Sequence, residues 1–424
     1  MNSSGLTRDD SRAAGFAAAG YRRLLELLLV ALRLGLTSFG GPVAHLGYFR
    51  EEYVVRRRWL DDAAYADLVA LCQLLPGPAS SQVGMAIGMM RAGFWGGVAS
   101  WLGFTLPSAA ALILFGALVN KTDAAGEGAT LTQAGWVHGL LVVAVAVVAH
   151  AIWGMAANLT PDRVRATIAV VAAIVVLAVP TALTQVAVIV LGGLLGHLLL
   201  RRPAVQAANR GIPRTARPPI PGAGAVVALV LFFGLLIGLP LLARAYPVPA
   251  VAVLDRFYRA GSLVFGGGHV VLPWLQTGVV GPGWVTAEQF LAGYAAAQAV
   301  PGPLFTFAGY LGTVIGGWSM GVLATVAIFL PSFLLIAGAL PHWDRIRRHA
   351  SFQPALQGVN AAVVGLLLAA FYDPVWTKAI RSPLDFGLAA AAFSLLVHWK
   401  APAWLVVMAA ALGGELLAAL ASAA

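Results

Sequence analysis

The sequence is poor in charge and contains a single cysteine. Lys, Arg, Asp and Glu make up 10% of its 424 residues, against about 25% in a typical soluble protein, which is too little to cover a water-exposed surface. Cys72 alone excludes an internal disulfide framework and a cysteine-cluster metal site. Apolar residues account for 60% of the chain, and the mean hydropathy is +0.84. The composition predicts an all-α polytopic membrane protein.

Acidic residues are the scarcer charges, with 17 Asp and Glu against 27 Lys and Arg and a net charge of +10. In a soluble protein this balance would indicate a nucleic-acid partner. In a membrane protein it indicates positive cytoplasmic loops, so we expect no nucleic acid. Residues 1–20 are polar and lack the continuous apolar core of a signal peptide. We therefore expect them to form a short disordered tail, with the N-terminus in the cytoplasm.

An internal repeat organises the rest of the chain. The segment Arg33-Leu-Gly-Leu-Thr-Ser-Phe-Gly-Gly41 returns as Arg259-Ala-Gly-Ser-Leu-Val-Phe-Gly-Gly267. Further matches, all 224–226 residues apart and in the same order, are Trp59 with Trp284, Gln73-Leu-Leu-Pro-Gly-Pro78 with Gln298-Ala-Val-Pro-Gly-Pro303, and Phe104-Thr-Leu-Pro-Ser108 with Ile328-Phe-Leu-Pro-Ser332. The pattern predicts two homologous halves, 21–200 and 247–424. The linker between them, 201–246, combines an arginine-rich loop at 201–219 with an apolar span at 223–243.

The loop charges predict that the second half is inverted relative to the first. Residues 50–58 carry four arginines, whereas their repeat mates, 275–283, carry no charge. Conversely, residues 120–132 contain one lysine and two acids, whereas 341–352 contain three arginines. Positive loops lie on the cytoplasmic side, so the sides have switched. Inverted-topology repeats are common in secondary transporters.

Each half contains two breaks in its apolar segments, at Gly40-Gly41-Pro42 and Pro76-Gly77-Pro78 and at Gly266-Gly267 and Pro301-Gly302-Pro303. The piece before Pro76 has about 15 residues and spans about 22 Å as a helix, which is short for a hydrocarbon core of about 30 Å. We expect short helices to begin after the breaks, at 42–49 and 79–90 in the first half. Broken segments that re-enter the membrane and broken segments that cross it both satisfy the inversion, although the loop charges favour re-entry.

Several long motifs resemble the chromate ion transporter (CHR) family: Phe39-Gly-Gly-Pro-Val-Ala-His-Leu-Gly-Tyr-Phe-Arg50, Leu75-Pro-Gly-Pro-Ala-Ser-Ser-Gln82, Gly103-Phe-Thr-Leu-Pro-Ser108 and Val264-Phe-Gly-Gly-Gly-His-Val-Val-Leu-Pro273. The likeness covers both halves, as in the long-chain members. It implies a multi-pass inner-membrane protein that exports chromate and confers chromate resistance. It also implies sulfate as a look-alike anion and proton-coupled antiport. A passive oxyanion channel and a sulfate-type transporter remain alternatives.

The breaks supply the groups that a tetrahedral dianion needs, because helix N-termini and hydroxyls can replace its hydration. Gln73 and Gln298 could add amide donors or cap a freed carbonyl. The predicted substrate-binding residues are therefore Arg33, Ser38, Gly40, Gly41, Gln73, Gly77, Ser80, Ser81, Arg259, Gly266, Gly267, Gln298, Gly302 and Thr306. The opposing interpretation is that Gly and Pro only pack or kink membrane helices.

Arg33 and Arg259 are the charges that stand out, since each lies in an apolar stretch where an arginine costs about 2.5–3.5 kcal/mol. They either attract the anion, snorkel to the interface, or pair with acids such as Asp255 or Glu51. The candidate proton carriers are His45, His269, Asp67 and Glu51, although helix packing is a competing role for both histidines.

No metal-ligand spacing, nucleophile elbow or phosphate-binding loop occurs in the sequence. We therefore expect no cofactor and no metal, and a lipid-phosphate enzyme is the least favoured alternative. A homodimer is compatible with the sequence, although small residues spread through every span single out no dimerisation stripe.

Overall fold

The computed structural model describes residues 6–38, 41–124, 135–200, 222–264, 271–343 and 352–423. Within these ranges the chain is helical and contains no strand, which confirms the all-α prediction. Five of the described helical stretches are long and apolar enough to cross a membrane: Ala79–Lys121, Gly135–Ala157, Gly222–Ala245, Trp318–His342 and Pro354–Ala379. The protein is therefore a polytopic helical membrane protein.

The described α-helices are numbered in chain order. In the first half and the linker they are α1 (Leu6–Thr37), α2 (Gly41–Arg50), α3 (Asp62–Leu74), α4 (Ala79–Ala124), α5 (Gly135–Leu159), α6 (Arg163–Ala178), α7 (Ala182–Leu199) and α8 (Gly222–Ala245). In the second half they are α9 (Pro249–Leu263), α10 (Val271–Leu275), α11 (Ala287–Ala299), α12 (Phe307–Gly316), α13 (Trp318–Ala339), α14 (Phe352–Ala370), α15 (Thr377–Ala379), α16 (Pro383–Val397) and α17 (Ala403–Ala423). The predicted linker span at 223–243 corresponds to α8.

The first helix corrects the prediction for residues 1–20. We expected a disordered tail, but α1 begins at Leu6 and runs for 32 residues. Alanine is the strongest helix former, and the stretch 13–19 contains five alanines. The helix therefore extends through polar sequence that carries no hydrophobic signal of its own.

Helix α4 is a hairpin of two arms. Its backbone leaves helical geometry at Ala92 and Gly93, where Gly93 has φ 63°. Gly88 and Gly96 then face each other so closely that a Cβ on either would collide with the backbone of the other. In the second half Gly317, with φ 83°, separates α12 from α13 in the same way. The first arm, 79–91, is only about 20 Å long at 1.5 Å per residue, so it is a half-helix, as the sequence predicts.

The two halves exchange helices. Helix α5 of the first half packs against α16 and α17 of the second, and α14 of the second half packs against α6 and α7 of the first. Glycines permit the close approach: Gly139 lies against the carbonyl of Ala410, and Gly358 lies against that of Gly192. Small residues at such contacts let membrane helices pack backbone to backbone. Each half thus completes its packing only on the other.

Candidate functional site: a crossing of broken helices

The Pro-Gly-Pro segment of each half reaches the end of the first helix of the repeat in the other half. The Gly302 amide donates to the Ser38 carbonyl at 3.0 Å, and the Gly77 amide donates to the Val264 carbonyl at 2.7 Å. Ser38 and Val264 occupy the same position of the repeat, five residues after Arg33 and Arg259, and Gly77 and Gly302 are likewise repeat mates. We call this pair of related contacts the crossing.

Glycine is required at the crossing for two reasons. Gly77 and Gly302 adopt φ 121° and 103°, a conformation that side chains with a Cβ rarely adopt. In addition, a Cβ at Gly77 would collide with the hydroxyl of Ser332, and a Cβ at Gly302 would lie 2.8 Å from the hydroxyl of Ser108. The two serines are the last residues of the repeated Leu-Pro-Ser motif. Each Pro-Gly-Pro segment therefore packs against the Leu-Pro-Ser motif of the opposite half.

Several polar groups in and beside the crossing are buried without a protein partner among the described residues. They are the hydroxyls of Ser38, Ser81 and Thr105, the side-chain oxygen of Gln82 and the amide nitrogen of Gln298. A buried donor left unsatisfied costs about 1–3 kcal/mol, and native structures rarely contain many. The three hydroxyls and the Gln298 amide therefore offer polar hydrogens that have no acceptor among the described residues, whereas the Gln82 oxygen is an unpartnered acceptor.

His45 packs beside the crossing, against residues of the first half. It lies on α2 with 1% of its surface exposed, and its Nδ1 is 3.3 Å from the Ser80 hydroxyl at the start of α4. Its ring meets Phe104 edge to face, with the centroids 5.4 Å apart. The Phe104 carbonyl is in turn one of the groups that a Cβ at Gly302 would meet. Of the four predicted proton carriers, His45 is therefore the one that the described contacts place beside the predicted anion-binding hydroxyls.

The two predicted arginines lie in ion pairs instead. Arg259 donates from Nε to Oδ1 of Asp255 at 2.8 Å, and the Asp255 side chain is 6% exposed. Arg33 is 60% exposed, and its Nη1 is 3.8 Å from a carboxylate oxygen of Glu52. Pairing with an acid was one of the interpretations left open by the sequence, although the partner of Arg33 is Glu52 and not Glu51.

Glu52 is a buried acid that the sequence analysis missed. Its side chain is 6% exposed and accepts from Nε of Arg57 at 2.8 Å, with Arg56 at 3.7 Å. Glu51, the predicted proton carrier, is 52% exposed and pairs with Arg56 at 3.2 Å. The two glutamates open a π-helical segment, Glu51–Arg56, whose wider turn alters the helical phase that a sequence pattern assumes.

The remaining predicted residues are placed as follows. Gly41 is the first residue of α2, and Gln73 is exposed on α3. The hydroxyl of Thr306 donates to the Pro303 carbonyl at 2.7 Å and so has a partner within its own segment. Asp67 lies on α3, but its side chain is not described. Gly40, Gly266, Gly267 and His269 lie outside the described residues.

Ser108, Ser332, Thr105 and Gln82 are further residues of the crossing that were not among the predicted substrate-binding residues. Gln82 donates to the Pro76 carbonyl at 2.7 Å and so closes the Pro-Gly-Pro turn of its own half. The signal for both serines was present in the sequence, because the repeat already paired their motifs. No group of three or more His, Cys, Asp or Glu side chains placed to hold a metal ion is found among the described residues.

Comparison with known proteins adds an independent finding. The sequence model of a family described as "Chromate transporter" matches the chain twice, over residues 25–197 and 251–414. A chromate transport protein of Pseudomonas aeruginosa is 31% identical over 407 residues, and one of Cupriavidus metallidurans is 28% identical over 398, each match covering 92% of both chains. An uncharacterised transporter of Bacillus subtilis, YwrA, is 28% identical over 174 residues, which is 96% of that protein but 39% of this one. No solved structure matches the chain.

Proposed function

We propose that this chain, which belongs to the chromate transporter family, carries chromate across the membrane through the crossing. The two matches of the family model to one chain also support the interpretation of the sequence as two homologous halves. The relatives are named as transport proteins, which favours transport over the lipid-phosphate enzyme considered from the sequence.

The observation that carries the proposal is the set of unpartnered donors at the crossing. Chromate is a tetrahedral dianion whose oxygens need several hydrogen bonds to replace water. Hydroxyls of Ser38, Ser81 and Thr105 together with the Gln298 amide offer such hydrogens in a buried place. The donors are neutral, and a transported ion must also leave its site, so moderate binding suits the task better than a cage of arginines.

The first α4 arm adds to this set. Its N-terminus at Ala79 directs free backbone N–H groups toward the Pro-Gly-Pro turn, and Ser80 and Ser81 lie in that first turn. Helix N-termini attract anions through these groups and through the helix dipole. Ser81 is buried and unpartnered there, so a side-chain donor supports the backbone donors.

The direction and the coupling complete the proposal: export from the cytoplasm across the inner membrane, in exchange for protons. A dianion that leaves a negative interior gains about 4.6 kcal/mol per 100 mV, since one charge gains about 2.3 kcal/mol. Export is therefore favourable on electrical grounds alone. We assign the coupling proton to His45 because its Nδ1 contacts Ser80, so that a change of protonation would alter a hydroxyl beside the anion.

The test is uptake of radiolabelled chromate into proteoliposomes, with the membrane potential clamped and the pH gradient varied. Uptake of labelled sulfate is measured in the same vesicles. We expect chromate uptake to rise when the inside of the vesicles is more acidic than the medium, because protons then leave as chromate enters. Flux that ignores the pH gradient would identify a passive channel, and flux of sulfate with exclusion of chromate would identify a different oxyanion as substrate.

A matched pair of threonine variants tests the site. Thr105 and Thr325 are both buried, but the Thr325 hydroxyl donates to the Gly321 carbonyl at 2.8 Å, whereas the Thr105 hydroxyl has no partner among the described residues. We expect Thr105→Val to keep or raise stability while it lowers chromate flux at least fivefold. Thr325→Val is expected to keep the flux. Unchanged flux in Thr105→Val would remove this hydroxyl from the site.

A further inference from the structure

A groove runs along the protein surface between α6 and α7. Its residues lie far in sequence from those of the crossing. The groove encloses about 430 Å³ and is apolar along its length, where it is lined by Val171, Val175, Leu191 and Leu195, among others. These four side chains are 39–54% exposed. In a polytopic membrane protein, large apolar side chains exposed on a helix surface face lipid tails. The groove is therefore shaped to hold an acyl chain.

A polar pocket of about 490 Å³ adjoins one end of the groove. Arg163, Val164 and Leu199 line both spaces, so the two share a wall. The polar pocket adds Asp162, Arg165 and Gln357. Gln357 belongs to α14, so the second half of the chain supplies one wall. An apolar channel that ends in a polar chamber has the form of a phospholipid.

The net positive charge of this pocket favours an anionic headgroup. Arg165 is paired with Asp162 through Nε and Oδ2, whereas Arg163 forms no ion pair among the described residues. Hydrogen bonds from the backbone and side chain of Arg165 hold the pKa of Asp162 below its usual range, so the acid stays charged near neutral pH and the pocket keeps one net positive charge. Arg201 and Arg202 follow Leu200 directly in the sequence. Basic pockets at the ends of membrane helices bind anionic headgroups.

The repeat mate of this pocket lacks these features. Asp162 and Ser382 are the N-caps of α6 and α16, so Arg163 and Arg165 correspond to Pro383 and Asp385. Asp385 is buried and its carboxylate is 2.7 Å from Nε2 of His138. An acid at this position would repel an anionic headgroup, so the comparison predicts one such site per chain.

We propose that the groove and the pocket bind one anionic phospholipid, with its phosphate against Arg163 and Arg165 and one acyl chain along α6 and α7. None of the residues that line the site belongs to the crossing. It joins the two halves, because α6 and α7 come from the first half and Gln357 from the second.

Native mass spectrometry of the full chain in detergent tests the proposal, with phosphatidylglycerol and phosphatidylcholine titrated separately. We expect phosphatidylglycerol to bind at least tenfold more tightly. Arg163→Gln, which breaks no ion pair, should reduce this preference to twofold or less. Arg381→Gln is the control, since Arg381 lies in the corresponding loop of the second half, and it should keep the preference. Equal affinity for the two lipids in the wild type, or an unchanged preference in Arg163→Gln, would overturn the proposal.

A second pair of variants tests the groove without touching a charge. Val170 and Val171 are both 52% exposed on α6, but only Val171 lines the groove. We expect Val171→Trp to fill the groove and weaken phosphatidylglycerol binding about tenfold, and Val170→Trp to leave it unchanged. Equal effects of the two variants would overturn the groove assignment. Free glycerol phosphate is titrated as a third ligand. If it binds as tightly as phosphatidylglycerol, the site recognises a phosphate and needs no acyl chain, and the lipid proposal is overturned.

Discussion

Substitution of Gly77 by alanine is predicted to disturb the crossing in a way that one specific second substitution relieves. The new Cβ would collide with the Ser332 hydroxyl and lie 2.7 Å from Nε2 of Gln82, at a residue whose φ is 121°. The collision with Ser332 is removed if that residue is also alanine, whereas the backbone strain remains. Ser108, which occupies the equivalent place beside Gly302, should give no relief.

The magnitudes separate the two contributions. A strained φ at a residue with a Cβ costs about 1–3 kcal/mol, and overfilling a packed interior costs about 1–3 kcal/mol more. We therefore expect Gly77→Ala to lower the free energy of unfolding by about 2–6 kcal/mol. Gly77→Ala with Ser332→Ala should recover only the part of the overpacking cost that comes from Ser332, and the backbone strain and the close contact with Gln82 should persist.

The assay is equilibrium unfolding in detergent micelles, followed by chromate uptake for variants that remain folded. The control combines Gly77→Ala with Ser108→Ala and should show no recovery. The reciprocal set should behave as its mirror image, so that Gly302→Ala is relieved by Ser108→Ala alone. Recovery of Gly77→Ala by both serine substitutions equally would refute the crossed pairing of the halves.

Three further predictions concern the charges. Glu52→Gln should lower the unfolding free energy by about 2 kcal/mol, because Arg57 loses the charge of its buried partner and keeps only Glu26; Glu51→Gln, at an exposed neighbour, should change it by less than about 0.5 kcal/mol in the same micelle assay. Arg259→Gln should destabilise the protein by leaving the Asp255 carboxylate buried and unpaired, and adding Asp255→Asn should restore the melting temperature; no restoration would assign Arg259 a role beyond the pair. Arg33→Gln should leave the melting temperature unchanged, since the side chain is 60% exposed, while it lowers chromate uptake more at low than at high ionic strength; a salt-independent loss would contradict attraction at a distance.

Glycine and proline residues predicted where several helices end and begin, because each break has a local cause. Pro-Gly-Pro ends α3 and precedes α4 since proline lacks an amide donor and Gly77 adopts a positive φ. The linker span α8 was predicted from its apolar length alone. The start of α1 was missed for the opposite reason, because helix propensity without an apolar pattern leaves no periodic signal.

The crossing itself could not be predicted from local pattern. The repeat showed that Gly77 and Gly302 are equivalent, but not that each one bonds to the other half. That pairing joins Ser38 to Gly302, residues far apart in the chain, and depends on how whole helices pack. The choice between Glu51 and Glu52 failed at shorter range, because a single π-helical segment changes which of two adjacent side chains is buried.

The exchange of α5 and α14 between the halves has a consequence for how the protein is made. The contact of Gly139 with Ala410 needs a partner synthesised roughly 270 residues later, a delay of roughly 15–55 s at about 5–20 residues per second. During that time α5 has emerged from the ribosome with its glycine face uncovered. Lipid, a chaperone or the insertion machinery must shelter this face until translation ends, and a chain truncated before α16 is expected to be degraded because α5 then lacks the two helices, α16 and α17, that cover it.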